Sequence, residues 1–292
     1  MIATITPNPA IDVTIVVGEL MPGETQRTGP ARRRAGGKGV NVARILHQQQ
    51  IASAVLACVG GDAGREFTRD LAEAGLDAHL VQTDVATRVS RTIHEQRRGR
   101  ATVLNEAGAH PGETAMHSLE DTLASLPGLT TVVISGSLPE GMGAEAIIEL
   151  SARGVARGAA VIVDGGGHTL NAAAAAGVSL LKPNLVELRS AAPDAPGPIT
   201  AARRLIDAGA GTVVVTRGEA GMLLVDADRV VSARLGRVLH GNPTGAGDAA
   251  TAALAASLDD GAAVDAEALR RAVAWSGSAV LSPLAGELDP SW

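Results

Sequence analysis

The chain predicts an α/β protein with a mainly parallel sheet covered by helices on both faces, and three observations carry that expectation. Six short apolar runs of β type, at residues 1–6, 54–59, 131–135, 159–164, 179–182 and 212–216, alternate with segments of helical period. Such alternation builds βαβ units, and strands buried on both faces read as continuous apolar runs. At 292 residues and 46% hydrophobic content, the chain has enough apolar material for one large core. Several strands also run straight into polar or glycine segments: Ser135-Gly-Ser-Leu-Pro139, Asp164-Gly-Gly-Gly167, Lys182-Pro-Asn184 and Thr216-Arg-Gly218. Ligands of parallel sheets sit beyond the carboxyl ends of the strands, so these segments are expected to meet on one rim.

Helices are expected at 40–50, 64–74, 116–126, 144–157, 199–208 and 249–257, with a further helical alanine run at 172–176. Two segments break the rhythm. Residues 13–20, and 87–104 with an interruption at Arg98-Gly99, read as strands and a hairpin of mixed polarity, hence a small antiparallel flap standing off the main sheet. Its alternating Val89 and Ile93 call for a partner surface. The proline-rich stretch 191–198 is a surface loop before a helix.

Composition excludes several classes. A net charge of −6 argues against a general binder of nucleic acid or membrane surfaces. Aromatic residues are 1% of the chain, too few for base-stacking platforms. The single cysteine, Cys58, leaves no internal disulfide and is expected to be buried and inert. The first residues show no basic segment leading to an apolar one, and no apolar run has the length of a membrane span, so a cytoplasmic protein is expected. The seven histidines show no zinc-ligand spacing.

The segment Gly241-Asn-Pro-Thr-Gly-Ala-Gly-Asp248 runs directly into the alanine-rich helix. Small residues at Gly245, Ala246 and Gly247 let backbone N–H groups approach a ligand at the positive end of the helix dipole, which makes an anion site. Asp248 reads two ways there: as an N-cap, or as a proton acceptor beside a transferring phosphoryl group. Of 25 basic residues only Lys38 and Lys182 are lysine, and both lie in these unusual segments. A lysine is a compact charge suited to a phosphate cluster.

Five motifs in order, Thr6-Pro-Asn-Pro-Ala-Ile-Asp12, Gly36-Gly-Lys-Gly-Val-Asn41, Ser135-Gly-Ser-Leu-Pro139, Lys182-Pro-Asn-Leu-Val-Glu187 and Gly245-Ala-Gly-Asp248, resemble the ribokinase-like sugar kinases of the PfkB family, most of all the 1-phosphofructokinase and tagatose-6-phosphate kinase branch. The resemblance implies a single three-layer α/β/α domain over residues 1–292, with a β-lid built from about 13–35 and 87–104. It implies ATP as donor with Mg2+, and a phosphorylated ketohexose as acceptor: tagatose 6-phosphate, fructose 1-phosphate or fructose 6-phosphate, the first favoured by Asn242-Pro-Thr244. Asp248 then resembles the catalytic base, and Gly245, Ala246 and Gly247 the anion hole.

Asp12, Gly36, Gly37, Lys38, Asn41 and Arg88 resemble the family's substrate-binding set, extended to Asn105 and Ser137. Turn or cap duty stays open for Asp12 and Asn41. Arg32, Arg33, Arg34 and Arg91 are taken as solvated or auxiliary. Asn184 and Glu187 resemble the pair that organises magnesium, with Glu187 acting through water, and Lys182 reaches the same rim. Thr216, Gly218 and Gly221 match the nucleotide loop, with an exposed Arg217 intervening, and Ser278 falls where a late helix brushes the adenine. Asp164-Gly-Gly-Gly-His168 departs from the family pattern, so its polar network must differ. The lid is expected to join two copies as a homodimer. A kinase of an unphosphorylated sugar or a nucleoside, and a non-catalytic sugar-phosphate sensor, are the competing readings.

Overall fold

Continuous apolar runs need cover on both faces, and the computed structural model, which describes residues 1–292, shows how the chain provides it. In order, the elements are β1 (Ile2–Ile5), β2 (Ala10–Val17), β3 (Arg32–Gly36), α1 (Lys38–Gln48), β4 (Ser53–Val59), α2 (Gly61–Glu73), β5 (Asp77–Gln82), β6 (Arg88–Glu95), β7 (Arg100–Asn105) and α3 (Glu113–Ser125). They continue with β8 (Thr131–Ser135), α4 (Glu145–Ala156), β9 (Ala160–Asp164), α5 (Gly167–Ala175), β10 (Leu180–Leu181), α6 (Leu185–Ala191), α7 (Pro198–Asp207) and β11 (Thr212–Thr216). A 3-10 turn at Gly218–Ala220, β12 (Met222–Val225), β13 (Val230–Ala233), α8 (Ala246–Asp259) and α9 (Ala266–Leu281) complete the chain.

Nine strands form the main sheet in the order β13-β12-β11-β10-β9-β8-β1-β4-β5. The seven from β11 to β5 pair in parallel, whereas β12 and β13 add an antiparallel edge. Side chains alternate between two cores. Val132 and Ile134 join α3, α4, α5 and α7 on one face, and Val133 joins α1, α8 and α9 on the other. The result is a three-layer α/β/α sandwich. Each fully buried Val, Leu or Ile contributes about 1.5–3 kcal/mol, so strands with no exposed face are its natural frame. The alanines of α8 let that helix sit close to the sheet, and ten of its 14 residues are buried.

The second sheet departs from the expected antiparallel flap. Its order is β3-β2-β6-β7, and β2 pairs β6 in parallel, with Asp12 beside Ser90. Only the β2–β3 and β6–β7 pairs are antiparallel. Ile11, Val13, Ala35, Ile15 and Val89 pack with Phe67 and Leu71 of α2, which seats the root of this lid on the body. Asp70 of α2 locks the seat, accepting from the Ala35 N–H at 3.0 Å and pairing with Arg44. On the other lid face, cross-strand register lines up Arg34, Asp12, Ser90 and Asn105 in one row. Strand β5, helix α6 and the hairpin β12–β13 were not among the expected elements, and α9 is the late helix that the resemblance implied.

Asp70→Ala strands the Ala35 N–H and the Arg44 guanidinium. We expect a loss of about 1–3 kcal/mol, seen as a lower urea midpoint at unchanged slope.

Candidate active site

The carboxyl ends of β8, β9 and β10 meet the N-termini of α1, α6 and α8 around one buried carboxylate. Asp164 closes β9 and is 1% exposed. Its Oδ1 lies 3.2 Å from Lys38 Nζ and its Oδ2 lies 3.3 Å from Lys182 Nζ. The hydroxyls of Ser135 and Thr251 also donate to Oδ2, at 3.1 and 3.3 Å. Burial opposes charge on Asp164, but Lys182 and Lys38 outweigh it and hold the carboxyl below its ordinary range. Lys38 is the converse: burial opposes its charge, yet Asp164, Glu187 and Asp248 keep the ammonium above its ordinary value. Both lysines of the chain therefore share one counter-charge, and Lys38, expected to contact an acceptor phosphate, stands paired with Asp164 and, at 3.5 Å, with Glu187.

Asp248 is the third residue of α8, not its cap. The cap position is Gly245, whose φ of 87° is left-handed backbone that favours glycine. The Ala246 N–H donates to the Pro243 carbonyl at 3.2 Å, which leaves the Gly245, Gly247 and Asp248 N–H groups as the donors without a protein acceptor. These three free donors stand where an anion hole was expected from Gly245, Ala246 and Gly247, and the Ala246 N–H differs from that expectation in being engaged within the protein. Asp248 is 6% exposed, and Asn41 Nδ2 donates to its Oδ2 at 2.8 Å. Asn41 is thus neither cap nor turn residue, because α1 starts at Lys38 behind Gly37. Burial pushes the Asp248 pKa up to about 7, aided by repulsion from Asp164 and opposed by Asn41, Lys38 and Lys182.

The acceptor-side candidates gather on the lid face and the first loop. Gly36 lies beneath the Asp12 carboxylate so closely that a Cβ there would collide with it. Burial raises the Asp12 pKa against the pull of Arg88, Arg34, Arg44 and a Ser90 hydrogen bond. Arg88, at the lid root, donates to the Asn8 carbonyl at 3.2 and 3.1 Å and to the Glu106 carbonyl at 3.2 Å. Asn8 Nδ2 reaches Ser137 Oγ at 3.4 Å. Asn105 sits at the far end of the polar row, its carbonyl accepting from Ser90 Oγ at 2.6 Å. Arg34 is not solvated: its side chain is 15% exposed and ion-paired to Glu287.

A cleft of about 550 Å³ opens onto Gly247, lined by Thr216, Gly218, Gly221, His240, Ser276 and Gly277 among others. Ser278 is not in it. The cleft uses Val273, Ser276, Gly277 and Val280, one stripe of α9, and a residue one position on turns about 100° away. The Ser278 hydroxyl accepts from the Asp289 N–H at 3.0 Å instead. Arg217 is half-buried and donates to the Ala220 carbonyl at 3.0 Å, stapling the loop. Asn184 and Glu187 form a capping box on α6: Asn184 Oδ1 accepts from the Val186 and Glu187 N–H groups, and Glu187 Oε2 accepts from the Asn184 N–H at 2.8 Å. Only Glu187 Oε1 is left to face Lys38.

The sequence reading set the Ser135 and Asp164 segments on the rim without giving those two residues a role, and it did not reach Thr251, nor Ser276 and Gly277 of the cleft. The available signal was the pair of lysines, which, once buried, need a counter-charge.

The raised Asp248 pKa has a definite sign for stability. Below the unfolded carboxyl value of 3.8 both states hold the proton, and as pH rises towards about 7 only the folded state keeps it, so the folded state loses ground over that window. Asp248→Asn removes the loss. We expect its melting temperature to match wild type near about pH 4 and to exceed it above about pH 7, in scans across that range.

Comparison with known proteins places this arrangement. A family model described as pfkB family carbohydrate kinase matches residues 6–292. The chain is 38% identical over 284 residues to a 1-phosphofructokinase of Xanthomonas campestris, covering 94% of this chain and 89% of that one. Phosphofructokinase-2 of Escherichia coli, in a crystal structure with fructose-6-phosphate, superposes with a TM-score of 0.88 at 28% identity, covering 97% and 95% of the two chains. The same enzyme in a tetrameric inhibited form gives a TM-score of 0.89. With the family motifs assembled around a single rim and the family model spanning nearly the whole sequence, the chain belongs to the pfkB family of carbohydrate kinases.

Proposed function

We propose that this kinase transfers the γ-phosphoryl group of ATP to a free hydroxyl of a fructose monophosphate, giving the bisphosphate and ADP, with Asp248 as base. One observation carries the reading: a buried carboxyl with a pKa of about 7 stands among unpaired N–H donors at a helix N-terminus. Anion binding alone has no use for such a carboxylate, whereas removing a proton from an attacking hydroxyl requires one.

In this reading the nucleotide lies in the cleft with its phosphates towards Gly247 and Lys182. The acceptor hydroxyl gives its proton to Asp248 as its oxygen bonds to the γ-phosphorus, and the bond from phosphorus to the bridging oxygen of ADP breaks. The Gly245, Gly247 and Asp248 N–H groups meet the charge on the transferring group, and Asn41 aims the base. Asp12 accepts from sugar hydroxyls and Arg88 meets the acceptor phosphate. Magnesium keeps several waters and takes oxygen ligands. No three His, Cys, Asp or Glu residues gather into a metal-binding group, so Glu187 Oε1 fits an ion held mainly by phosphates and water. Bound there, Mg2+ supplies neutralisation of phosphate charge.

The names of the relatives favour a fructose monophosphate over the tagatose 6-phosphate suggested by Asn242-Pro-Thr244. No helix is long and apolar enough to cross a membrane. The substrates proposed are cytoplasmic metabolites, which supports a cytoplasmic enzyme. Val16 and Val103, 49% and 52% exposed, lie on the lid face that carries Asp12, which supports a homodimer through the lids.

Asp248→Asn should retain ATP binding while kcat falls roughly a thousandfold, and wild-type kcat/KM should decline below about pH 7 as Asp248 takes up a proton. A coupled ADP-release assay reads both, and wild-type turnover in the folded variant refutes the mechanism. In the same assay, fructose 1-phosphate or fructose 6-phosphate should surpass free fructose, ribose and adenosine by about a hundredfold. Arg88→Ala should raise KM for the phosphosugar and leave that for ATP unchanged. Light scattering should give twice the mass of one chain, and Val103→Asp should halve it.

A further inference from the structure

Arg34 stands on β3 opposite Asp12, and its Nη1 lies 3.1 Å from Glu287 Oε1. Its other terminal nitrogen, Nη2, is buried without a partner. A guanidinium in that position is held by the one pair it makes, because leaving it would strand a buried charge. Burial lowers its pKa, with Arg44 adding to the effect and Glu287 and Asp70 opposing it.

Glu287 belongs to the strap 283–288 that follows α9. Both ends of this strap are tied down. The Pro283 carbonyl accepts from Asn242 Nδ2 at 3.2 Å, and the Gln48 side chain takes both the N–H and the carbonyl of Leu288, at 2.8 and 2.9 Å. Between those anchors the strap lies on the phosphoryl site. Ala285 abuts Gly245, where a Cβ would come within 2.9 Å of the Ala285 Cα, and Gly286 abuts Asn41, where a Cβ would meet Oδ1 at 3.0 Å and Cα at 3.1 Å. One short segment thus touches the turn that forms the anion hole and the residue that aims the base. Glu287 is the strap residue ion-paired to the lid.

We propose that Arg34 is a positioning residue for phosphoryl transfer: by holding Glu287 it seats the strap against Gly245 and Asn41, so the anion hole and the base are set while the lid strand is in place. Arg34 acts through Glu287 and does not need to touch substrate. Lid seating is thereby coupled to the chemistry at the N-termini of α1 and α8. The kinetic arm of the test rests on the proposed kinase reaction, and the exchange arm does not.

The test compares Arg34→Glu, Glu287→Arg and the exchanged double variant. Arg33→Glu is the control, since it breaks the neighbouring lid pair with Glu66, at 2.8 Å, without reaching the strap. Each single variant should lower kcat at saturating fructose 1-phosphate or fructose 6-phosphate about tenfold with KM for ATP unchanged, and the double variant should regain most of it. The control should match wild type. In the protein without substrate, amide hydrogen exchange over 283–288 should accelerate in both single variants and return towards wild type in the double. Exchange unaltered by either single variant, or an exchanged pair as impaired as the sum of its singles, overturns the proposal. An absence of turnover with either fructose monophosphate counts against the proposed function and leaves the exchange result to decide this one.

Discussion

The site depends on one shared counter-charge. Asp164 takes Lys38 on one oxygen and Lys182 on the other, and these are the only lysines in the chain. The Lys182 ammonium is in the interior, where it is tolerable only when paired and hydrogen-bonded, and Lys38, 39% exposed, closes the pair from the solvent side. The same carboxylate collects the hydroxyls of Ser135 and Thr251, so five elements, β8, β9, α1, α8 and the loop after β10, are fixed relative to one another at a point. At Asp164-Gly-Gly-Gly-His168 the polar network is built from lysines and hydroxyls on other elements.

Two nearby buried carboxylates end up with opposite character. Asp164 is surrounded by ammonium groups and stays ionised. Asp248 has one amide donor, and the charge on Asp164 adds to its burial in favouring the proton. Environments that drive neighbouring acids apart are how a fold assigns one to hold charge and another to exchange protons. Asp164 therefore sets the lysine positions and adds to the burial that raises the Asp248 pKa.

The inner strands of the main sheet were legible because they are buried on both faces, which writes them as plain apolar runs, whereas the edge strand β5, with no buried residue, was missed. The motifs at the strand ends were legible for the same reason, as abrupt changes from apolar to glycine or polar. The lid was harder. Its strands were visible, but the parallel pairing of β2 with β6 joins residues far apart in sequence and leaves no local trace. Helix α9 and Ser278 show the limit of motif transfer: the late helix was carried over without its rotation, and Ser276 and Gly277 face the cleft instead. Asn41 and Arg34 look like ordinary cap and surface residues until the elements they bridge are in place. Glu187 looks free in the sequence, yet one of its two oxygens is already bound to a backbone N–H.

The place of β1 in the sheet has a consequence for how the protein folds. Strand β1 lies at the middle, between β4 and β8, and the Thr130 N–H just ahead of β8 donates to the Met1 carbonyl at 3.1 Å. Its second neighbour emerges from the ribosome only after 130 further residues, so on that side an apolar strand waits with unpaired N–H and carbonyl groups. Closing so long a parallel connection incurs the loop entropy before any pairing energy returns. A parallel pairing of such sequence separation is slow to form, and strand edges stay exposed while it does.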